Sequence, residues 1–516
     1  MNEAATHATA NGLATIDWIL IGVYAVVMLA LGLYFARRQK TTSEYFVGSG
    51  HMNWMLIGIS LFATLLSTIT YLSTPGEIIS KGPADMVKLL SLPVIFLIVG
   101  YVLIPVYMRQ RVTSAYELLE ERLGLSHRMA AVGMFLALRL VWMSILIYMA
   151  SEATVVVMGI DRSWIPVVVA VTGAVSIFYT TLGGLRAVVI TDCVQTVLLF
   201  GGAILVLVIV TREMGGFAWF PSERPAHWDH QPWFSFDPRT RVTMVGSFLS
   251  LAIWNVCTAG GDQVSIQRFM ATRDARAARR SFAVQLVIVF IVTATLALVG
   301  LALLAYYARF SDRLPEGMTL AKHGDKIFPL FIRQALPPGV AGLVVAAMFA
   351  AAMSSIDSGV NSITAVVLTD LLDRFGRRPE TERGHMWLAR LSALAIGITV
   401  VVGAIGFSQI GQDRIGNFFG VANRTVNLLV PTLFCLFFFA LFVPSAHPAG
   451  VWCATIAGLT TAILIAYSGN LFGFVVYEGK KVAPVSFQWI GPASLTVDIV
   501  VGLIACRLWK AAGRNA

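Results

Sequence analysis

The sequence predicts an all-α polytopic membrane protein, on the evidence of its hydropathy, its low charge content and the spacing of its apolar segments. Hydrophobic residues make up 57% of the 516 residues and charged residues only 13%, a balance far from that of soluble domains. Apolar segments near the spanning length of about 20 residues recur from end to end. The stretches between them are too short for a soluble domain, so we predict one integral domain over residues 1–516.

The apolar segments define about thirteen predicted membrane helices. We place them at residues 15–36, 53–73, 86–108, 128–158, 163–181, 187–211, 243–259, 280–307, 337–372, 385–408, 416–443, 447–468 and 486–509. An odd number of crossings puts the termini on opposite sides of the membrane. With the N-terminus outside and the C-terminus in the cytoplasm, arginines and lysines collect in cytoplasmic loops, as the positive-inside rule requires. The expected location is the plasma membrane, or the inner membrane of a bacterium.

The net charge of +10 does not indicate a nucleic-acid partner. The basic residues are scattered through short loops, where membrane topology accounts for them. The five cysteines lie in or beside apolar segments without CxxC spacing, which argues against a disulfide framework or a zinc site. The sequence has no HExxH, P-loop or GxSxG motif, so we predict no enzyme. The partner that composition alone implies is the lipid bilayer.

Two connecting regions carry further expectations. The first apolar segment has no basic leader before it and runs into Arg37 and Arg38 without a small-residue cleavage site, so we expect it to be retained as a helix. The longest outside connection, residues 213–241, is rich in Trp, Pro and His. We predict that it forms an interfacial lid rather than a domain.

Two predicted spans are interrupted by polar residues with proline or glycine. In the second span, hydroxyl residues at 67–70 precede Ser73-Thr74-Pro75-Gly76, where proline removes a backbone donor. In the seventh, residues 254–261 end in two glycines and lead into Asp262-Gln263. The interruptions lie five spans apart, as expected for inverted repeats that open with a broken helix near the midplane. Simple kinks are the alternative.

One helix combines hydroxyl groups and an acid in an otherwise apolar run, from Ala350 to Leu371. Its polar residues include Ser354, Ser355, Asp357, Ser358, Ser362 and Thr364. Hydrocarbon penalises such groups unless a partner or a cation satisfies them, so a carboxylate one turn from paired serines indicates a hard cation. Hydrogen bonds to the helix's own carbonyls, or to neighbouring helices, are an equally favoured reading of this segment alone.

Five motifs that occur in order resemble those of the sodium:solute symporter family. They are EYFVGSGHMNW (44–54), RVTSAYELLEERLG (111–124), GGLRAVVITDCVQ (183–195), DQVSIQRFMATRD (262–274) and AAMSSIDSGVNS (351–362). The resemblance implies a LeuT-type fold with inverted repeats at 53–211 and 243–443, an extra helix at 15–36 and C-terminal helices within 447–509. It also implies Na⁺ as the co-transported ion and a small-molecule solute as partner.

The resemblance implies a main sodium site between the first broken helix and the serine-bearing helix. The match of SLFATLLS places backbone carbonyls at Ala63 and Leu66, and the match of AAMSS places the other ligands at Ala351, Ser354 and Ser355. Five uncharged oxygens suit Na⁺, because a monovalent ion does not need a cage of carboxylates.

The resemblance also implies a candidate second sodium site, at the family's acidic position in the Thr-Asp pair of the sixth span. Asp192 matches that position, and Ser358 and Asp357 of the serine-bearing helix are further candidates. Asp357 departs from the serine that is often found there. For Asp192 the alternative is a structural acid favoured by a helix dipole and paired with Arg186 or another basic group.

The segment STITYLSTPGEIISKG (67–82) resembles the iodide, monocarboxylate and multivitamin branch of the family. That resemblance favours a small organic anion such as a monocarboxylate as the solute. The candidate substrate-binding residues are Thr70, Tyr71, Trp254, Asn255 and Gln263. A tryptophan at such a place is as often packing as pocket lining.

Two charges inside predicted spans are candidates for gating or ion pairing. Arg139 is a candidate for binding an anionic solute. A structural ion pair or a cytoplasmic gate is an at least equally favoured role for it. Glu152 is expected to pair with Lys88, to line an outer vestibule or simply to face water at the membrane edge.

The function predicted from these observations is sodium-coupled import of a small solute. A sugar, sialic acid or an amino acid are alternative solutes. Coupling to protons through Asp192, Asp357 or Glu152 is an alternative mechanism, and a transporter-derived sensor is an alternative class.

Overall fold

The computed structural model describes residues 13–37, 39, 41–110, 114–221, 223–228, 234–410, 418–477 and 480–512. Its α-helices, numbered α1 to α19 in chain order, are Thr15–Ala36, Thr42–Val47, Trp54–Leu65, Thr68–Lys81, Leu92–Ile98, Ile104–Gln110, Glu117–Leu123, Leu125–Met158, Ile165–Glu213, Met244–Gly261, Gln263–Met270, Ala275–Arg309, Gly324–Ala335, Val340–Val366, Glu382–Ile410, Phe418–Phe442, Pro448–Ala466, Ser468–Phe472 and Ile490–Ala512. A short antiparallel hairpin pairs β1, Val475–Tyr477, with β2, Lys480–Val482.

The all-helical membrane architecture is confirmed. In the described part of the chain, ten helices are long and apolar enough to cross a membrane, and the bent pair α3–α4 makes an eleventh span. The 49-residue helix α9 is too long for a single crossing at a rise of 1.5 Å per residue. It covers two of our predicted helices, so the total of thirteen stays a prediction.

Glycine breaks α9 between its two halves. Gly184 has φ 54° and ψ −166°, a conformation that other residues rarely adopt. A Cβ at this position would also lie 2.9 Å from the backbone oxygen of Tyr45. The kink therefore depends on glycine for both its dihedral angles and its close packing.

The first break lies earlier than the sequence suggested. Helix α3 ends at Leu65, Leu66 is extended, and α4 begins at Thr68 at an angle of 66° to α3. The Ser67 side chain accepts a hydrogen bond from the Thr70 backbone N–H at 3.3 Å and so caps the new helix. Pro75, which we expected at the break, is buried inside α4.

The second break occurs where predicted. Helix α10 ends at Gly261, Asp262 is extended, and α11 begins at Gln263. The Asp262 side chain caps α11 by accepting from the Val264 N–H at 3.0 Å. Both breaks thus leave helix ends, with their unpaired backbone groups, inside the protein.

The second half of α4 is covered by two segments. In the connection 213–241, the rings of His227 and Trp228 bond to the Ile79 carbonyl, at 2.8 Å and 3.3 Å. Helix α13, which the sequence analysis did not anticipate, packs against α4, where Gly76 comes close to Asp325. These contacts agree with a lid over this end.

The serine-bearing helix α14 is central and α1 is peripheral. In the most apolar 18 residues of the span Val340–Asp373, 83% are buried inside the protein. In those of Thr15–Ala36 only 17% are buried. The polar residues of α14 therefore face other helices rather than lipid, which is where a membrane protein can satisfy them.

Candidate ion and solute sites

The main predicted sodium site is built where α3 ends against α14. The last carbonyls of a helix have no partner within it, and two of them turn to serines of α14. Ser354 Oγ donates to the Ala63 carbonyl at 2.9 Å and to the Ala351 carbonyl at 3.1 Å. Ser355 Oγ donates to the Thr64 carbonyl at 3.2 Å. Four of the five predicted ligand residues therefore lie together. Hydrogen bonds join Ala63, Ala351 and Ser354, and Ser355 bonds to the carbonyl of Thr64, next to Ala63 in the chain.

The fifth residue, Leu66, lies in the extended link after α3, so its carbonyl is not part of a helix. The resulting donor set is carbonyls and hydroxyls, which suits a monovalent cation. Consistent with this, no group of three or more His, Cys, Asp or Glu residues that could hold a metal occurs among the residues described.

Asp192 lies in a second polar cluster, around the guanidinium of Arg268. Ser60 Oγ donates to Asp192 Oδ2 at 2.5 Å, and Arg268 Nη2 lies 3.5 Å from the same oxygen. Arg268 also donates to Ser358 Oγ and, at 2.9 Å, to Ser60 Oγ. Ser358 in turn lies 2.7 Å from Thr64 Oγ1. The basic partner of Asp192 is therefore Arg268, whereas Arg186 donates to the Gly48 carbonyl.

The other carboxylate oxygen of Asp192, Oδ1, is buried without a hydrogen-bond partner among the described atoms. A bare carboxylate oxygen inside a protein is costly. Asp192 and Ser358 are therefore brought together as predicted, with one acceptor still available to a cation.

Asp357 belongs to a different cluster. Its Oδ1 accepts from Ser176 Oγ at 2.5 Å and from Thr180 Oγ1 at 2.7 Å, and its Oδ2 accepts from the Tyr179 hydroxyl. These donors all lie on the first half of α9. The structure thus separates Asp357 from the Asp192 and Ser358 pair with which the sequence analysis grouped it.

A cavity of about 200 Å³ adjoins the first break. Three of our five candidate solute residues, Thr70, Trp254 and Asn255, line it together with Leu66. These candidates are therefore adjacent to a predicted sodium ligand.

Tyr71 and Gln263 lie outside this lining. The Tyr71 ring is fully buried 5.5 Å from the ring of Phe328, because consecutive residues of a helix point about 100° apart and position 71 does not share the face of Thr70. Gln263 Oε1 accepts from the Ala115 backbone N–H at 2.8 Å.

The two residues predicted to act in gating or ion pairing, Arg139 and Glu152, both form ion pairs. Arg139 on α8 bonds with Asp262 at the second break, which agrees with a structural or gating pair and leaves it outside the cavity lining. Glu152 is 3% exposed and accepts from Arg162 at 2.6 Å. It does not face water, and the partner seen for Lys88 is Asp85.

An ion-pair cluster ties α7 to the chain after α14, at the end that we predict to be cytoplasmic. Glu120 bonds with Arg128 at 2.7 Å and with Arg374 at 2.6 Å, and Arg128 also pairs with Asp370 at 2.6 Å. Hydrogen bonds from Arg374 and Arg128 lower the pKa of Glu120 from 4.5 to about 2.

Several residues of these sites were not singled out from the sequence, chiefly Arg268, Ser60 and Asp85. Arg268 has a recognisable signal, because it stands within a quoted motif next to a broken helix and a buried arginine is rare. Ser60 and Asp85 have none, since a serine or an acid near a helix end is common.

Two broken helices that meet near a central polar helix, with an ion site beside a cavity, define a secondary transporter of the inverted-repeat class. The model of the sodium:solute symporter family matches residues 45–458, and the chain belongs to that family.

Relatives with known functions include transporters for several solutes. The chain is 30% identical to the sodium/sialic acid symporter SiaT of Proteus mirabilis, over 90% of this chain and 91% of the relative. It is 27% identical to the sodium/sialic acid symporter NanT of Aliivibrio fischeri, over 97% and 95%. It is 26% identical to human sodium-coupled monocarboxylate transporter 1, over 90% and 76%.

Solved structures support the same fold. A substrate-bound, outward-open Na⁺-coupled sialic acid symporter aligns with a TM-score of 0.81 at 27% identity, covering 96% of this chain and 98% of that one. The nucleobase-cation symporter Mhp1 aligns with a TM-score of 0.56 at 10% identity, which shows the shared fold alone. The chain is a transporter and not an enzyme, and sodium is its coupling ion.

Proposed function

We propose that this sodium:solute symporter imports a small organic anion such as a monocarboxylate, with Na⁺ bound between α3 and α14. The observation that carries the proposal is the cavity at the first break, which shares Leu66 with the predicted ion site. A sodium ion held there places a positive charge beside the solute. Opposite charges attract more strongly in a dry interior than in water, so ion and anion stabilise each other's binding.

The main ion is bound by the Ala63, Leu66 and Ala351 carbonyls and the Ser354 and Ser355 hydroxyls. The contacts of Ser354 and Ser355 with carbonyls at the end of α3 support this assignment. Both hydroxyls can rotate their hydrogens away and present lone pairs to the ion.

A second sodium ion is proposed at Asp192 and Ser358. The unpartnered Asp192 Oδ1 supports it, and Arg268 on the other oxygen helps to hold the acid ionised. Asp357 is left out of this site because three hydroxyl donors already occupy its carboxylate.

The cavity supports outward-facing solute access under the proposed topology. Its lining includes Val242, on a connection that we predict to be outside, and Phe487 and Gln488, at the end of the predicted helix 486–509 that we expect to face outside. The Glu120 cluster holds together the opposite end. Solute therefore enters from outside, and import follows when that cluster opens.

Sialic acid is the second candidate solute, because two of the similar relatives are named for it. Sialic acid and the monocarboxylates both carry a carboxylate, so both fit the organic-anion proposal. They differ in the rest of the molecule, which is polyhydroxylated in sialic acid.

The test is uptake into proteoliposomes with an imposed sodium gradient or an imposed proton gradient. Competitors would be monocarboxylates, sialic acid, pantothenate, proline and glucose. We expect sodium to stimulate uptake and carboxylates to compete. Stimulation by protons alone, or binding without flux, would contradict sodium symport in this chain; competition by glucose or proline alone would contradict the anion.

A further inference from the structure

One charged pair stands in the wall of the solute cavity. Lys88 and Asp85 both line the cavity and bond to each other. Of the cavity-lining residues that the structure describes, Lys88 is the one cation and Asp85 the one anion. Charged side chains are rare in such surroundings and usually functional.

Asp85 is held from two sides. Its Oδ2 accepts from Lys88, and its Oδ1 accepts from Ser247 Oγ of α10 at 3.2 Å. The Asp85 side chain is 8% exposed, whereas that of Lys88 is 21% exposed. Asp85 is therefore fixed against α10, and the ammonium is the more accessible partner. An ammonium carries three N–H donors, so one that bonds with Asp85 can also bond with a solute carboxylate.

The surface around the pair combines apolar and polar side chains. Phe62, Leu89, Trp142, Trp254 and Val289 contribute apolar surface, which binds apolar parts of a solute by removing them from water. Eleven hydroxyl and amide side chains also line the cavity and can bond to polar groups of a solute.

We propose that Lys88 binds the carboxylate of the solute and that Asp85 positions Lys88. This inference rests on the proposed function and assigns the residue that recognises the anion. The sodium ion behind Leu66 adds a second positive charge near the carboxylate.

The test uses purified full-length protein in detergent with saturating Na⁺. Benzoate, its uncharged isostere benzamide, and sialic acid serve as probes, and binding is followed by the shift in thermal unfolding temperature. The variants are Lys88→Gln, Lys88→Arg and Asp85→Asn. Lys322→Gln, an exposed lysine outside the cavity, is the matched control. Stabilisation by Na⁺ alone shows that each variant is folded.

In the wild type we expect benzoate to bind more tightly than benzamide, and we expect the binding of either acid to require Lys88. Lys88→Gln should weaken benzoate binding about tenfold or more and abolish the preference for the acid, because it removes a hydrogen bond to a charged group. Lys88→Arg and Lys322→Gln should keep that preference. Asp85→Asn should weaken benzoate binding while the acid remains preferred over the amide.

Three outcomes would overturn the inference: equal binding of benzoate and benzamide, sialic acid binding that is unchanged in Lys88→Gln, or Asp85→Asn abolishing binding while Lys88→Gln does not. The last result would indicate a solute that carries a cation. Each of these outcomes leaves sodium symport intact, because sodium-stimulated uptake of the other solutes tests that separately.

Discussion

Two hydroxyl groups of α14, beside the end of α3, are central to the proposed site for the coupling ion. Ser354 and Ser355 are buried and reach carbonyls of the broken helix directly. A hydroxyl contributes lone pairs to a cation without bringing a formal charge, so the site can release the ion again during each cycle.

Replacing both serines by alanine should abolish sodium-dependent uptake while the protein still inserts in the membrane. The reason is the loss of two of the five proposed oxygen ligands. Thr364→Val is a suitable control, because the Thr364 hydroxyl bonds to the Val360 carbonyl of its own helix. Uptake of the double variant with unchanged sodium dependence would contradict the main site.

Asp192→Asn should reduce the number of sodium ions transported per solute from two to one. The amide keeps the shape of the side chain but removes the charge that attracts the second ion, and Arg268 then lacks its counter-ion. Reversal-potential measurements in proteoliposomes give the stoichiometry. A ratio of one in the wild type, unchanged in the variant, would remove the second site.

At the scale of helices, an ion pair and a kink determine how the elements around the proposed sites are placed. Helix α7 is tied through Glu120 to Arg374, beyond the end of α14. Helix α9 changes direction at Gly184, which lets its first half contact Asp357 and its second half carry Asp192.

Glu120→Gln should increase access to the cavity from the cytoplasmic side. A cysteine placed at Asn255, in a background without the native cysteines, would report this through faster labelling in inside-out vesicles. Because Glu120 has a lowered pKa, its ion pairs are complete above pH 4.5, and are lost as the pH falls toward about 2. Wild-type labelling should therefore be independent of pH above 5. Equal labelling of wild type and variant would show that Glu120 does not contribute to closure.

Gly184→Ala should destabilise the protein by about 1–3 kcal/mol, because alanine is strained at positive φ and its Cβ would contact Tyr45. Gly201→Ala, in the same helix with no neighbouring atom within 4 Å of the added Cβ, is the control and should be tolerated. Thermal unfolding in detergent measures both. Similar unfolding temperatures for the two variants would argue against a glycine requirement at the kink.

For the whole molecule, two groups of contacts test the orientation in the membrane. The first group is the cavity at the start of α4, with the connection 213–241 and helix α13, which pack against the rest of α4. The second is the Glu120 cluster, beyond the end of α14. The proposed topology makes the first group external and the second cytoplasmic.

Single cysteines at Phe217 and Phe375, in a background without native cysteines, test this topology. Both positions are exposed, at 78% and 57%. A membrane-impermeant thiol reagent added to intact cells should label position 217 and not position 375. The reverse pattern would place the N-terminus in the cytoplasm.

The sequence by itself determined the membrane class, the positions of most spans, the second break and the ligand residues expected for the main sodium site. Hydropathy and ordered motifs are properties of the chain, so they can be read without coordinates. The first break was misplaced, because Pro75 is accommodated inside α4, whereas the chain is already extended at Leu66 and the Ser67 hydroxyl caps the start of α4.

Only the tertiary structure decided which charges meet. It paired Asp192 with Arg268, Arg139 with Asp262 and Lys88 with Asp85, and it separated Asp357 from Asp192. The partners in these pairs are mostly far apart in sequence, and a buried charge is stabilised by whichever group the packing of helices brings within a few ångströms. That distance depends on helix angles and on kinks such as Gly184, which the order of residues does not reveal.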